Sequence, residues 1–294
     1  MHVCTHLRDR LGVELPLRAL FENPTVRGLA ARVDAAPRAE DAGTPVIPLR
    51  RIPRKVALAS AGAAEGAPLE VVDAYVVPAS FSQQRLWMLD RMDPGRAAYA
   101  VPLALRLRGA LDRGALQRAL DALAERHESL RTVFRWMDGG AMQVVLPRAA
   151  FPVQAIDLSG MDERGREAEL RRRLADEATR PFDLEHGPLA RVALYRLAAD
   201  EHVLLLNLHH VITDGWSTGV LLRDLAALYG AFARGEGSPL APLPVQYADF
   251  AAWQRAALSG EVLRERLAFW RNALAGAPAL LELPADHPRP AIQT

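Results

Sequence analysis

The sequence predicts an α/β fold in which helices lie on a layered mixed sheet, and two stretches carry this prediction. Residues 101–109, VPLALRLRG, alternate apolar and polar side chains, which is the period of a strand with one buried face. Residues 202–208, HVLLLNL, are apolar almost throughout, as expected for a strand that is covered on both faces. Residues at helical spacing follow each stretch, so strands and helices are expected to alternate along the chain.

Residues 1–35 predict short helices only. Gly12 indicates a stop, Pro16 a restart, and Asn23-Pro24 an N-cap followed by proline at the first helical position. A unit of fewer than about 40 residues rarely holds a core without disulfides or metals. We therefore expect this segment to be the tail of an all-helical domain that begins earlier.

A change of composition separates this segment from the rest of the chain. Residues 36–72 are rich in Pro, Gly, Ala and Arg, which is typical of a linker. The mixed pattern of strands and helices then occupies residues 73–294.

The first strand and the helix after it have clear sequence signals. Pro102 indicates a strand start or an edge strand, because proline cannot donate to a ladder. The next apolar residues, Leu116, Leu120 and Leu123, repeat at i, i+4 and i+7, and Asp112 is placed to cap the helix.

The sequence also predicts further strands and helices. Strands are expected at 141–147 and 189–197, with a charged helix over 163–178 between them. After the apolar strand, Asp214 or Ser217 is placed to cap a last long helix. Its apolar residues repeat at i, i+4, i+7 and i+11: Leu221, Leu225, Leu228 and Phe232.

Composition excludes several classes of protein. The chain has 36 basic and 35 acidic side chains and a formal net charge of +1, so no global field attracts nucleic acid or acidic lipid. Cys4 is the single cysteine, which excludes an intrachain disulfide. Since the sequence has neither an 18-residue apolar run nor a secretory N-terminus, we expect a cytoplasmic protein without a membrane partner.

The apolar strand ends in LHHVITDGWS, residues 208–217, where chemistry is concentrated. Three interpretations are open on spacing alone. His209 and His210 could be structural and satisfy backbone groups, they could ligate a metal with Asp214, or one of them could act on a nucleophile. A metal needs a distant third ligand, because adjacent histidines tend to diverge.

The stretch resembles the HHxxxDG motif of the condensation domains of nonribosomal peptide synthetases. Residues 80–89, SFSQQRLWML, are similar to the first core motif of that family. RHESLRTVF at 126–134 and YADFAAWQ at 247–254 are similar to its second and fourth motifs. Residues 12–33 resemble the C-terminal part of a peptidyl carrier domain. The resemblance implies one lobe, the N-terminal one, of a chloramphenicol acetyltransferase-like fold, preceded by a short all-helical carrier-like segment.

The resemblance also implies roles for the histidine motif. The second histidine falls on His210, which is implied to orient or deprotonate an attacking α-amine, and His209 is then mostly structural. Gly215 is implied to let backbone approach the thioester or the pantetheine arm, although it could simply be a turn glycine.

The aspartate of the motif falls on Asp214. The resemblance implies that Asp214 braces the loop through an arginine, for which Arg126 and Arg131 are the candidates, and the alternative is a helix cap. Trp216 is expected to serve packing, because large aromatic side chains dominate core burial. The same packing role is expected of three further aromatic residues: Trp87, Tyr247 and Trp253.

The implied reaction is amide bond formation between a carrier-bound donor thioester and a carrier-bound acceptor amine. No cofactor or metal is implied to bind directly, because the substrates arrive on the phosphopantetheine of upstream and downstream carrier domains. An adenylation domain and the C-terminal condensation lobe are the other implied partners.

The sequence departs from the family pattern at both ends. No residue matches the carrier serine that bears phosphopantetheine, and the motifs of the second lobe have no counterpart before Thr294. We therefore expect an incomplete condensation enzyme. The alternative is a non-catalytic carrier-docking module or decayed synthetase fragment.

Overall fold

The structure is a computed structural model, and it divides into two compact units, residues 1–48 and 49–294. The structure describes residues 7, 10, 11, 13, 15, 17–36, 48–54, 74–137, 139–149, 151–278, 284, 286 and 287.

Two helices of the first unit lie wholly within the described residues, α1 (Leu17–Glu22) and α2 (Val26–Ala35). Thr25 caps α2, since its hydroxyl accepts a hydrogen bond from the Gly28 amide at 3.1 Å. The predicted cap at Asn23-Pro24 is therefore wrong by two residues, because the threonine hydroxyl takes the capping position. The predicted stop at Gly12 and restart at Pro16 lie outside the described residues.

The second unit has seven strands and six α-helices among the described residues. Its strands are β1 (Tyr75–Pro78), β2 (Ala100–Arg108), β3 (Thr132–Met137), β4 (Gly140–Val145), β5 (Gln154–Asp157), β6 (Ala190–Ala198) and β7 (Glu201–His209). Its helices are α3 (Phe81–Met92), α4 (Arg113–Arg126), α5 (Glu163–Thr179), α6 (Gly215–Ala233), α7 (Tyr247–Ala257) and α8 (Gly260–Ala273), with a short 3₁₀ turn at Glu128–Arg131.

The strands form two sheets, so the predicted mixed α/β fold is confirmed. Strands β2-β7-β6-β5 form the larger sheet, in which only the β5–β6 pair is parallel among the described strands. Strands β1-β4-β3 form the smaller sheet, which is antiparallel. Strand β2 lies at an edge of the larger sheet, as Pro102 predicts.

Strand β7 is covered on both faces, which explains its continuous apolar run. Leu204 and Leu206 belong to the main core together with residues of α4 and α6. Val203 and Leu205 belong to a second core that includes Leu170 of α5. Because β7 feeds the histidines, the loop after it leaves a rigid and fully packed strand.

Helices α4 and α6 have the predicted apolar faces. Asp112 caps α4 through the Ala115 amide at 2.9 Å, as predicted. The short strands β1, β3 and β5 were not predicted, and the four residues of β1 and of β5 give too little periodicity. In the described part of the chain, no helix is long and apolar enough to cross a membrane.

Candidate functional site

The histidine loop begins where the ladder of β7 ends. His209 still pairs in register with Ala100 of β2. The His210 amide then donates to the Tyr99 carbonyl at 2.8 Å, and the Ile212 amide donates to the His209 carbonyl at 3.0 Å. These backbone bonds turn the chain sharply, so the two histidine side chains enter different surroundings.

His209 is a buried structural residue. Only 4% of it is exposed, and its Nδ1 accepts a hydrogen bond from the Val211 amide at 3.1 Å. Tyr99 and Phe182 contact the imidazole edge to face. Burial, helped by the neighbouring His210, lowers the pKa of His209 to about 4. The ring is therefore neutral near pH 7.

His210 has the opposite setting. Its side chain is exposed and lines a cavity, and its Nδ1 lies 2.7 Å from the Thr213 carbonyl oxygen. A carbonyl oxygen can only accept a hydrogen bond, so Nδ1 must carry the hydrogen. In the neutral ring, Nε2 is then the nitrogen with a free lone pair. This tautomer suits a group that accepts a proton.

Asp214 caps helix α6. Its Oδ1 accepts from both the amide and the hydroxyl of Ser217, each at 2.7 Å. Burial acts to raise the pKa of Asp214, but the hydrogen bonds from Ser217 outweigh it and hold the pKa below its usual value. The structure confirms the helix-cap interpretation.

The predicted arginine brace on Asp214 is wrong. Arg126 donates instead to Asp224 at 2.9 Å, ten residues further along α6. His127 shares the same Asp224 oxygen at 2.9 Å. Arg131 contacts the Leu146 carbonyl and lies 3.6 Å from the Glu128 carboxylate. The sequence offers two aspartates for Arg126, Asp214 at the cap of α6 and Asp224 within the helix, and the structure pairs it with the second.

The cavity beside His210 has a volume of about 770 Å³. All four core motifs contribute side chains to it, among them Gln83, His127, His210 and Tyr247. Its remaining lining is mostly apolar or neutral, which is typical of a ligand site with a few fixed polar groups.

Trp216 and Gly215 open α6 at this cavity. Trp216 lies in the first turn of the helix, is 60% exposed and lines the cavity, and its packing role stays a prediction. Trp87 is buried and stacks on Trp136, as the packing prediction requires.

A Cβ on Gly215 would meet nothing within 4 Å, so space within this chain does not explain the glycine. Its approach to a thioester stays a prediction.

A buried charge cluster supports another part of the cavity wall, and sequence reasoning missed it. Arg54 donates to Asp249 at 2.6 Å and to Glu128 at 2.9 Å. Asp249 is fully buried and also accepts from the backbone amides of Ile52 and Gln246. Residues 49–54 fall within the predicted linker, whose remaining residues lie mostly outside the described part of the chain.

Two facts connect this charge cluster to the cavity. Asp249 and Gln246 form a capping box at the start of α7, and the Gln246 side chain bonds the Arg126 carbonyl and the Glu128 amide. Gln246 itself lines the cavity. The sequence IPR at 52–54 could have indicated a residue that packs on the fold. It lies in a stretch rich in proline and arginine, so the whole stretch was predicted to be a linker. Among the described residues, no group of three or more His, Cys, Asp or Glu side chains could hold a metal ion.

The strand, turn and helix around His210 define a protein that presents an imidazole to a cavity built from several sequence motifs. The model of the family "Condensation domain" matches residues 73–294, and that of "Phosphopantetheine attachment site" matches residues 1–33. The chain belongs to the condensation domain family of nonribosomal peptide synthetases, and the predicted resemblance is confirmed.

Relatives of known name agree with this assignment. The chain is 41% identical to malpinin synthetase of Mortierella alpina over 284 residues, which cover 97% of this chain and 3% of that protein. It is 40% identical to the phosphinothricin tripeptide synthetase PhsB of Streptomyces viridochromogenes, covering 100% of this chain and 23% of the relative. The chain thus spans only a small part of these relatives.

Solved structures share the fold. The crystal structure of the X-domain from teicoplanin biosynthesis has a TM-score of 0.64 and 36% identity, over 73% of this chain and 47% of that one. The first condensation domain of the calcium-dependent antibiotic synthetase, solved with a substrate analogue, has a TM-score of 0.61 and 25% identity, over 69% and 48%. The chain therefore spans about half the length of these structures.

Proposed function

We propose that this chain contributes the histidine-bearing lobe of an enzyme that joins a carrier-bound acyl thioester to a carrier-bound amine. The α-amine nitrogen attacks the thioester carbonyl, so that a C–N bond forms, the C–S bond breaks and the carrier thiol is released. Phosphopantetheine is the group that carries both substrates, and it enters as part of the substrate.

The tautomer of His210 carries this proposal. A hydrogen bond of 2.7 Å to the Thr213 carbonyl keeps the hydrogen on Nδ1 and leaves Nε2 as the acceptor in a residue that lines the cavity. An ammonium or a developing amide N–H needs such an acceptor, and an imidazole nitrogen with a free lone pair supplies it.

His209 supports the same division of roles. Its pKa of about 4 and its burial keep it uncharged, so it places no positive charge beside His210 at neutral pH. Its Nδ1 also fixes the Val211 amide of the loop. One histidine therefore shapes the loop while the other faces the substrates.

Positioning and proton transfer both contribute to the expected rate. Holding an amine and a thioester in register can supply about 7 to 11 kcal/mol in well-oriented reactions. A positioned general base typically adds about 10²- to 10⁴-fold. The two contributions fit a site in which the exposed imidazole of His210 faces a mostly neutral cavity.

The test compares two histidine variants in a complete module that carries this sequence. We expect His210→Ala to reduce amide formation by about 10²-fold or more, because the acceptor is lost. His186→Ala is the matched control, since the His186 side chain is 72% exposed and its nearest partner is Asp183, outside the cavity. Equal turnover in the two folded variants would overturn the proposal.

A second candidate function is a docking module without catalysis. It is favoured by one solved structure that is similar to this chain, an X-domain in complex with OxyB from teicoplanin biosynthesis, with 35% identity and a TM-score of 0.66. In that case a partner protein would bind this chain, and no variant at His210 would change amide formation. The experiment above therefore separates the two candidates.

The first proposal implies several partner domains for this chain. Upstream and downstream carrier domains would deliver the substrates, an adenylation domain would load them, and a second condensation lobe would complete the cavity. Co-purification of a phosphopantetheine-loaded carrier with this chain would support them.

A further inference from the structure

Gln83 is a buried amide that reaches the histidine loop from a distant part of the chain. It lies in the first turn of α3, is 3% exposed and lines the cavity. Helix capping explains one of its bonds, but it does not explain why the opposite end of its amide contacts the loop.

Backbone contacts fix which way the amide points. The Ser80 amide donates to Gln83 Oε1 at 3.0 Å, so that atom must be the oxygen. The other atom is then Nε2, which carries two hydrogens. Nε2 donates one to the Val211 carbonyl at 3.3 Å and the other to Gln143 Oε1 at 3.2 Å.

Gln143 is fixed in the same manner. It is 1% exposed, and its Nε2 donates to the Pro78 carbonyl at 3.2 Å, which can only accept. Its Oε1 must therefore face Gln83. The two amides form a directed chain of hydrogen bonds with a single arrangement, because a flip of either one would set two acceptors or two donors against each other.

This series of hydrogen bonds ends at the histidine loop, next to His210. Val211 follows His210, and the same short turn contains the bond from His210 Nδ1 to the Thr213 carbonyl. Gln83 thus holds the carbonyl of one peptide in a turn that closes on the imidazole. The buried donor is neutral, so it places no charge beside the ring.

We infer that Gln83 is a positioning residue that holds the histidine loop so that His210 keeps its hydrogen on Nδ1. This inference rests on the proposed function of His210. Gln83 acts through the Val211 carbonyl and takes no part in bond making or breaking.

A matched pair of substitutions tests the inference. Gln83→Glu keeps the shape and the acceptor for the Ser80 amide but replaces the two donor hydrogens with an acceptor oxygen. Gln143→Glu makes the same chemical change in a neighbouring buried amide, whose own bonds join it to Pro78 and Gln83. If Gln83→Glu does not fold, Gln83→Met replaces it as an uncharged variant that also lacks the donor.

The first measurement is the ¹⁵N NMR spectrum of His210 in the 294-residue chain, assigned with His210→Asn, because the ring nitrogen shifts distinguish the two tautomers. We expect the unmodified chain and Gln143→Glu to show hydrogen on Nδ1, and Gln83→Glu or Gln83→Met to show a mixture. The second measurement is single-turnover amide formation in a complete module, with an expected loss of about 10- to 100-fold for Gln83→Glu.

The outcomes separate this inference from the proposed function. An unchanged His210 tautomer and unchanged turnover in both Gln83 variants would overturn the positioning role. Suppose that the His210 tautomer changes in Gln83→Glu, while turnover stays normal in Gln83→Glu and in His210→Ala. This result would confirm the contact but overturn the proposed function. Equal effects in Gln83→Glu and Gln143→Glu would also overturn the inference, because they would indicate a general effect of a buried carboxylate.

Discussion

Two parts of the cavity wall are held in place by different kinds of interaction. The histidine loop, residues 209–217, is held by backbone hydrogen bonds, by the neutral amide of Gln83 and by the cap from Asp214 to Ser217. The charge cluster, which we define as Arg54, Glu128 and Asp249, holds the part of the wall that includes Gln246.

The two parts are expected to differ in their main contribution, which is stability for the charge cluster and chemistry for the histidine loop. Buried ions need partners, so removal of one member leaves the others uncompensated and destabilises the fold strongly. A neutral hydrogen bond contributes less, about 0.5 to 1.5 kcal/mol, but it fixes direction without adding charge. We therefore expect variants of the charge cluster to lower the free energy of unfolding most strongly, and a variant of His210 to lower turnover.

The largest expected effect on stability is that of Arg54→Ala. The Arg54 side chain is 19% exposed and its two carboxylate partners are 6% and 0% exposed, so the substitution leaves two buried negative charges close together. We expect a loss of about 3 kcal/mol in the free energy of unfolding of the unit 49–294, measured by urea denaturation.

Arg51→Ala is the matched control for this prediction. Arg51 is an exposed arginine three positions earlier in the same segment. Equal stability of the two variants would show that residues 49–54 are not part of the folded unit and would remove the contrast between the two parts of the wall.

The next effect concerns pH and His209. Its pKa in the folded chain is about 4 against an ordinary value of 6.5, so between these values the unfolded chain binds more protons than the folded one. Stability is then fully present above about pH 6.5 and falls as the pH drops toward 4, by on the order of 3 kcal/mol. Burial also lowers the pKa of His127, which adds a loss in the same direction.

Denaturation at pH 7 and pH 4.5 measures this loss. The buried aspartates Asp224 and Asp249 have lowered pKa values, so they lose their contribution to stability only at a pH below this window. We expect His209→Gln to flatten the dependence, with the residual slope assigned to His127. An unchanged slope in that variant would contradict a buried neutral His209.

The smallest expected effect is that of Asp214→Ala. The substitution removes the cap on α6, for which a loss of about 1 kcal/mol is typical. Ser217→Ala is the control, because the Ser217 amide can still bond the Asp214 carboxylate and only the hydroxyl contact is lost. If Asp214→Ala proved as damaging as Arg54→Ala, the aspartate would have a role beyond the cap.

The sequence predicts the larger sheet and its helices well because long periodic segments determine them. The alternation in β2 and the apolar run in β7 match the edge and the centre of that sheet. The separate roles of His209 and His210 are implied by the resemblance, and the contacts of the two rings support them. Strands of four residues, such as β1, give too weak a period to be predicted.

The contacts between distant segments could not be predicted, for a physical reason. Arg54 and Asp249 are 195 residues apart, and Gln83 and Val211 are 128 apart, so no local pattern links them. The pairing of Arg126 with Asp224 instead of Asp214 depends on how α4 packs on α6, which spacing does not determine. Large aromatic residues are usually buried, whereas Trp216 lines the cavity and is 60% exposed, so its packing role stays a prediction.

We propose that His210 carries the chemistry, whereas the charge cluster stabilises the fold. The most direct measurement is single-turnover amide formation per folded molecule in a complete module, compared between His210→Ala and Arg54→Ala. We predict a loss of about 10²-fold or more for His210→Ala with an unchanged midpoint of unfolding, and nearly normal turnover of the folded fraction for Arg54→Ala. Normal turnover in His210→Ala would contradict the claim.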